Sequence, residues 1–195
     1  MRYDSEHKGR TRDKVLKAAA QAIRADGPHR VGVAGVMSKA GLTHGGFYSH
    51  FESKDALVAA AIERMFDESR ERFARETEGR SAGEALEAYI DFYLSTRHRD
   101  AVGHGCPIPA LAGDVRRVSR QARECFAGGA RRLVERLAEQ LRLLGREDAV
   151  VTASSVLAEM VGALTLARSE PDSAQSEAIL AASRAALKRR LGLKE

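Results

Sequence analysis

Apolar residues recur every three to four positions along most of the chain, and no segment alternates in the manner of a β-strand. This period predicts an all-α fold. Glycine and proline at positions 27 and 28, and the polar residues 78–81, supply two of the breaks between helices. The expected helices span about residues 10–26, 33–40, 44–50, 54–77, 82–96, 114–144, 147–169 and 174–191. Ser53 is a good N-cap for the helix that follows it.

The most apolar stretch, residues 149–167, is long enough to be tested as a membrane span. Glu159 lies at its centre, close to Thr152 and two serines, and a carboxylate at the centre of a bilayer is costly. A helix buried against other helices explains the run better. Since the first residues also lack the apolar region of a signal peptide, the sequence predicts a cytoplasmic protein without a membrane partner.

Charge is distributed unevenly along the chain, whose formal net charge is +5. Residues 1–55 hold ten Lys or Arg against six Asp or Glu, whereas residues 56–195 hold twenty-two against twenty-one. A basic N-terminal part joined to a nearly neutral body is typical of a module that binds a polyanion. A solvated charged surface would give the same count, so the motifs must decide.

The informative motif lies in residues 32–57, where two short helices flank a tight turn. Gly41 heads this turn, because a left-handed backbone costs least at glycine. Thr43 begins the next helix, and the polar side chains of Tyr48, His50 and Lys54 follow closely. This arrangement predicts a helix-turn-helix that places one helix in the major groove while its neighbours contact the phosphates.

The same segment resembles the signature of the TetR family. It reads Val36-Met37, then Ala40-Gly41-Leu42-Thr43, then Gly45-Gly46-Phe47-Tyr48-Ser49-His50-Phe51, followed by Lys54 and Leu57. The resemblance implies that Thr43, Tyr48, His50 and Lys54 contact phosphates, and that His44 and its neighbours read bases. It also implies an apolar core of Val36, Leu42, Phe47 and Phe51. The predicted DNA-contacting set is therefore Thr43, His44, Gly45, Phe47, Tyr48, His50 and Lys54.

Glycines depart from the family pattern at several points of this motif. Gly32 replaces the usual capping Ser or Thr, Gly35 lies inside the second helix, and Gly45 and Gly46 are adjacent in the third. Each glycine inside a helix costs about 1 kcal/mol relative to alanine. We therefore expect the recognition helix to become fully ordered on DNA and to read bases with few side chains.

The resemblance further implies two domains, a DNA-binding domain over residues 1–53 and a helical ligand-binding and dimerisation domain over residues 54–195. Regulators of this kind bind a palindromic operator as homodimers, most often as repressors, and release it when a small-molecule inducer binds. The last two helices carry small residues suited to a dimer interface, namely Ala153, Gly162, Ala163, Ala167, Ala178, Ala182 and Ala186. The sequence does not identify the inducer.

Candidate inducer contacts are the large apolar and aromatic residues of the body, each of which would serve equally well as an ordinary core residue. The predicted ligand-binding set is Met65, Phe66, Tyr89, Phe92, Tyr93, Cys106, Ile108, Leu111, Phe126 and Met160.

Cys106 is also a candidate redox sensor, because Pro107 is well placed as the first residue of a short helix. The helix dipole would then lower the pKa of the thiol and favour a thiolate. A structural role at the start of that helix is the alternative. Zinc binding by His104 and Cys106 lacks any paired-ligand spacing, so no metal site is expected.

Two other classes of protein deserve comparison with a regulator. An enzyme would show a nucleophile elbow, a phosphate-binding glycine loop or a metalloprotease motif, and none of these occurs. The sequence therefore predicts neither catalysis nor a cofactor. An architectural DNA-binding protein would share the basic N-terminal part, but it would have little use for the large neutral body.

Overall fold

A computed structural model describes the backbone of residues 2–193 and the side chains of residues 7–193. No β-strand occurs within residues 2–193, which confirms the all-α prediction. The α-helices are α1 (Arg2–Asp26), α2 (Val33–Lys39), α3 (Lys54–Thr77), α4 (Ala82–Tyr93), α5 (Thr96–Asp100), α6 (Pro107–Leu111), α7 (Arg120–Leu143), α8 (Ala149–Ser169) and α9 (Ser173–Leu191). Short 3₁₀ helices span His44–Ser49, Val102–His104 and Val115–Arg117.

Helix ends account for the main differences from the predicted elements. Helix α1 begins about two turns before the predicted start at residue 10, since polar and charged residues can continue a helix without an apolar stripe. The predicted helix 82–96 ends at Tyr93 because Ser95 caps α5, its Oγ accepting from the His98 N–H at 3.1 Å. Ser119 likewise caps α7, which shortens the predicted helix 114–144 at its start.

Buried apolar residues form two clusters, which we call the N-terminal core and the C-terminal core. The N-terminal core joins α1, α2, the first 3₁₀ helix and the first half of α3, with Leu111 and Ala122 added from the body. The C-terminal core is built from α4, α7, α8 and α9. The domain division at residues 53 and 54 remains a prediction, and the N-terminal core extends beyond it into α3.

Helix α3 links the two cores, since it packs against α1 on one side and against α4 and α7 on the other. The approach of α7 is close at Gly129, where any Cβ atom would overlap the ring of Phe66. Phe66 in turn makes an edge-to-face contact with Phe126, with ring centroids 5.7 Å apart. A glycine thus sets the distance between these two long helices.

Helix α8 packs on α7 and α9, and α9 also packs on α4, yet both helices leave small and apolar residues exposed. Of the small residues predicted for a dimer interface, Ala153, Ala163 and Ala167 are instead buried within the chain. The outward positions on α8 include Val151, Ala158, Thr165 and Leu166, and those on α9 include Ala178, Ala181, Ala182 and Ala186. By length and composition α8 would suffice to cross a membrane, and only 39% of its most apolar window is buried.

Candidate nucleic-acid interface and ligand cavity

The helix-turn-helix is formed by α2, a tight turn and the 3₁₀ helix His44–Ser49, which we call the recognition segment. Gly41 occupies the left-handed region in the turn, with φ of +73°. The N–H of Leu42 bonds back to the Met37 carbonyl at 2.9 Å, which closes the turn at the end of α2. Thr43 then leads into the recognition segment with an extended backbone.

Three of the four residues predicted to form the core beneath the recognition segment are buried. Val36, Phe47 and Phe51 are buried, and the Phe47 and Phe51 rings stack with centroids 5.7 Å apart. Leu42 is only half-buried. Phe47 was also expected among the residues facing DNA, and this was wrong, because its side chain is 1% exposed and supports the surface from below.

Most of the other predicted DNA-contacting residues lie on the surface around the recognition segment. Thr43, His44, Gly45 and Lys54 are exposed, and the Tyr48 side chain is 72% exposed, a large value for an aromatic residue. These residues stay a predicted contact set, and the structure leaves their side chains accessible.

His50 is half-buried beside this region, and its Nδ1 has no hydrogen-bond partner within residues 7–193. Burial lowers the pKa of the imidazole, and the nearby cations Lys8 and Arg12 lower it further. Lys54, at the start of α3, donates to the His29 carbonyl at 3.3 Å. Ser53 caps that helix as predicted, its Oγ accepting from the Ala56 N–H at 3.0 Å.

The recognition segment is a 3₁₀ helix of six residues instead of the expected α-helix. A Cβ atom would find open space at Gly45 and only the flexible end of Met37, at 3.7 Å, at Gly46. No neighbouring atom therefore requires a glycine at either position. They weaken the α-helical conformation because glycine loses most backbone entropy when it is ordered.

A cavity of about 190 Å³ lies in the body between α3, α4 and the loop that precedes α6. Its apolar wall includes Tyr89, Phe92, Tyr93 and Cys106, four of the predicted ligand-binding residues. The other six do not line it. Met65, Phe66, Leu111 and Met160 are buried core residues, whereas Ile108 and Phe126 are half-buried and pack against the cores.

Charged and polar side chains, with Gly105, form the rest of the cavity wall, and no pattern in the sequence predicted them. They are Glu68, Ser69, Glu71, Arg72, Arg75, His98 and His104. The guanidinium of Arg72 lies 4.7 Å from the centroid of the Phe92 ring and pairs with Glu76 at 3.3 Å. The lining residues of α3 lie between Glu68 and Arg75 and have the spacing of an ordinary solvent-exposed helix face. Only the packing of α4 and the loop before α6 shows that they border the cavity.

Tyr93 places a polar group beside the Cys106 thiol at the cavity. Its side chain is fully buried, and its hydroxyl has no hydrogen-bond partner within residues 7–193. Burial raises the pKa of this hydroxyl well above its usual value, so it stays protonated and able to donate. A buried polar group without a partner is costly, and a ligand in the cavity would relieve that cost.

His98 fixes the backbone at one end of the cavity. Its Nδ1 lies 2.8 Å from the Tyr93 carbonyl, and its Nε2 accepts from the Cys106 N–H at 3.0 Å. The first nitrogen must therefore donate and the second must accept, which only the neutral ring does. Burial, with Arg168 nearby, lowers the pKa of His98 to about 4.

Cys106 is 6% exposed, and burial raises the pKa of its thiol. The predicted lowering of this pKa was wrong. Arg24, Arg168 and the adjoining Tyr93 hydroxyl do favour the thiolate, but the cost of removing a charge from water outweighs them. The helix after Cys106 has only five residues, so its dipole is short. Cys125, the second cysteine, is half-buried, and its pKa is also raised by burial.

The cavity wall is bonded directly to α1. Arg24 is buried and donates to Glu68 at 2.7 Å and to the Met65 and Gly103 carbonyls at 3.3 Å each. Gln21 lies 3.3 Å from the ring of His104. Since Glu68 and His104 line the cavity, α1 is bonded to two of the residues that form its wall.

Comparison with known proteins points in one direction. The family model for bacterial regulatory proteins of the tetR family matches residues 15–61. The uncharacterized HTH-type transcriptional regulator YvdT of Bacillus subtilis is 30% identical over 97 residues, which are 46% of this chain and 48% of YvdT. The chain thus spans about half the length of the first curated relatives it matches.

A longer match links the chain to the HTH-type transcriptional repressor NemR of Escherichia coli, with 27% identity over 78% of this chain and 76% of NemR. The crystal structure of reduced E. coli NemR has the same fold, with a TM-score of 0.79 at 23% identity, and covers 92% of this chain and 95% of NemR. A TetR transcriptional regulator from Chloroflexus aurantiacus gives a TM-score of 0.82 at 25% identity over 96% of both chains.

Proposed function

Because the chain belongs to the TetR family of bacterial regulatory proteins, we propose that it is a ligand- or redox-responsive repressor that binds a palindromic operator as a homodimer. Members of this family regulate transcription and are not enzymes. The observation that carries the proposal is the recognition segment, which exposes Tyr48 above a packed Phe47–Phe51 core and has the exposed Thr43 and Lys54 nearby in the sequence. The cell compartment in which this function fits is the cytoplasm.

The proposed dimer forms through the exposed faces of α8 and α9. Alanines recur on α9 at positions 178, 182 and 186, and α8 adds Gly162, where a Cβ atom would meet nothing within 4 Å. Small side chains allow two helices to approach closely. Such a dimer would hold two recognition segments about 34–36 Å apart, one turn of DNA, which is the spacing that a palindrome requires.

The proposed inducer occupies the cavity beside Tyr93. A cavity of about 190 Å³ suits a small molecule, and the unpaired hydroxyl supplies one polar contact. Filling it would press on Glu68 and His104, which are bonded to α1 through Arg24 and Gln21. A shift of α1 would move the recognition segment and change the spacing of the pair, so bound ligand would favour the DNA-free state.

Modification of Cys106 is the second proposed trigger. It is supported by the likeness to NemR, whose crystal structure is described as a reduced form. The raised pKa of the buried thiol argues for slow reaction in the resting state. A covalent group on this sulfur would project toward the cavity wall and act as a tethered ligand.

Selection of bound duplexes from a random DNA library tests the proposed function. Enrichment of an inverted repeat supports the dimeric regulator, whereas no enrichment would contradict it and favour an architectural role. Band shifts of the selected duplex with peroxide or an electrophile then test the second trigger. Release that is lost in Cys106→Ser and retained in Cys125→Ser supports redox control, and indifference in all three proteins points to a cavity ligand alone.

A further inference from the structure

Two cations on α1, Lys8 and Arg12, lie before the segment that matches the family model and outside the helix-turn-helix. Arg12 packs over Phe51, with its guanidinium carbon 4.9 Å from the ring centroid. It also lines a cleft next to the start of α3, together with His50 and the acidic residues Glu52 and Glu63. Both Lys8 and Arg12 are exposed and near enough to act on the charge of His50.

Helix geometry places these two cations on one face. Residues four apart are neighbours on an α-helix, so Lys8 and Arg12 lie one turn apart on the side that buries Val15 and Leu16 farther along α1. Asp13, the acid next to Arg12 in sequence, is paired with Arg64 of α3 and so does not neutralise it.

We propose that Lys8 and Arg12 form a second phosphate-binding surface, which extends the DNA contact from the recognition segment to the N-terminal half of α1. The partner is the backbone of duplex DNA flanking the bases that are read. Charge complementarity and continuity with His50, one of the predicted phosphate contacts, identify this partner. Such contacts strengthen binding without adding sequence preference.

The chain offers a matched control pair on the same helix. Arg10 and Lys14 are exposed, also four residues apart, and carry the same total charge. At about 100° per residue they lie roughly opposite Lys8 and Arg12. Removing either pair changes the net charge equally, so a difference between them reports position and not charge.

The test rests on the proposed function and uses the duplex selected for the wild-type protein. Affinity is measured across a series of salt concentrations for the wild type, Lys8→Ala/Arg12→Ala and Arg10→Ala/Lys14→Ala. Each lost phosphate contact makes the slope of log affinity against log salt shallower by about 0.9. Because the bound dimer carries each side chain twice, the first variant loses four contacts. We expect its slope to change by about 4, and that of the second variant to change little.

Because Arg12 packs on Phe51, Lys8→Ala alone serves as a second variant that leaves this contact intact, with an expected slope change of about 2 for the dimer. Circular dichroism melting checks that each variant is folded. Equal slopes for the two double variants would overturn the inference while leaving the proposed function in place. Failure of the wild type to select any duplex would instead overturn both.

Discussion

His98 is a buried histidine whose two ring nitrogens both bond to backbone, one as donor and one as acceptor. Protonation would turn the acceptor into a donor facing the Cys106 N–H, and it would place a charge beside Arg168. The imidazole therefore stabilises the fold only while it is neutral. The stacked ring of Phe92, with its centroid 5.1 Å away, adds to this burial.

Stability should consequently fall in mildly acidic solution. The pKa of His98 is about 4 in the folded protein against 6.5 for the free side chain, so the unfolded chain binds more protons between these values. The free energy of unfolding should lose about 2 kcal/mol from this group between about pH 7.5 and pH 5, on a scale of 1.36 kcal/mol per unit. Urea unfolding at both pH values measures this loss.

His98→Gln keeps a donor and an acceptor but does not titrate, so it should lose less stability on acidification than the wild type does. His44→Gln, at an exposed position without these bonds, is the control and should follow the wild type. An identical pH dependence for His98→Gln and the wild type would contradict the role given to His98.

Gly128 and Gly129 are adjacent glycines in α7 with opposite surroundings. A Cβ atom at Gly129 would overlap the Phe66 ring, whereas one at Gly128 would meet only the end of Arg132 at 3.4 Å. Gly129→Ala should therefore lower the free energy of unfolding by about 1–3 kcal/mol through overpacking. Gly128→Ala should raise it by about 0.5–1 kcal/mol through helix propensity. Urea unfolding compares them, and a stabilised Gly129→Ala protein would contradict the close approach of α3 and α7.

Elements with strong local signals were predictable from the sequence. Ser53 marked the start of α3, and Gly41 marked the turn, because a cap and a left-handed glycine act within a few residues. The 3₁₀ conformation of the recognition segment and the breaks at Ser95 and Ser119 depend on competing local bonds of similar strength, so pattern alone did not reveal them. The cavity was still less predictable, because a void is defined by three elements at once.

The contact between α1 and α3 depends on Arg24, a cation that is 1% exposed and bonded to Glu68. Glu68→Gln would leave this buried charge without its carboxylate and should lower the free energy of unfolding by about 2–3 kcal/mol. The control is Glu71→Gln on the same helix, whose partner Arg75 lies 3.9 Å away and where both side chains are more than half exposed. That change should stay within about 0.5 kcal/mol. Equal effects in urea unfolding would mean that Arg24 does not hold α1 to α3.

At the scale of the whole molecule, the two cores leave one feature that a single chain does not explain. Leu166 is 62% exposed and Val151 73% exposed on α8, beside a row of exposed alanines on α9. Monomeric proteins seldom expose a contiguous apolar surface of this kind. The sequence indicated small residues in these helices, but only the packing of α8 on α7 and of α9 on α4 and α8 decides which of them face inward.

A second copy of the chain should cover this surface, which makes assembly sensitive to charges placed there. The wild type should have twice the mass of the 21.2 kDa chain by light scattering, whereas Leu166→Glu and Ala182→Glu should give monomers, because each buries an unpaired carboxylate at the interface. Ala74→Glu, at an exposed alanine of α3, is the control and should stay dimeric. Operator affinity should also fall in the two monomeric variants, since one recognition segment reads only half of a palindrome. A folded Ala182→Glu protein that remained dimeric and bound the operator normally would place the interface elsewhere.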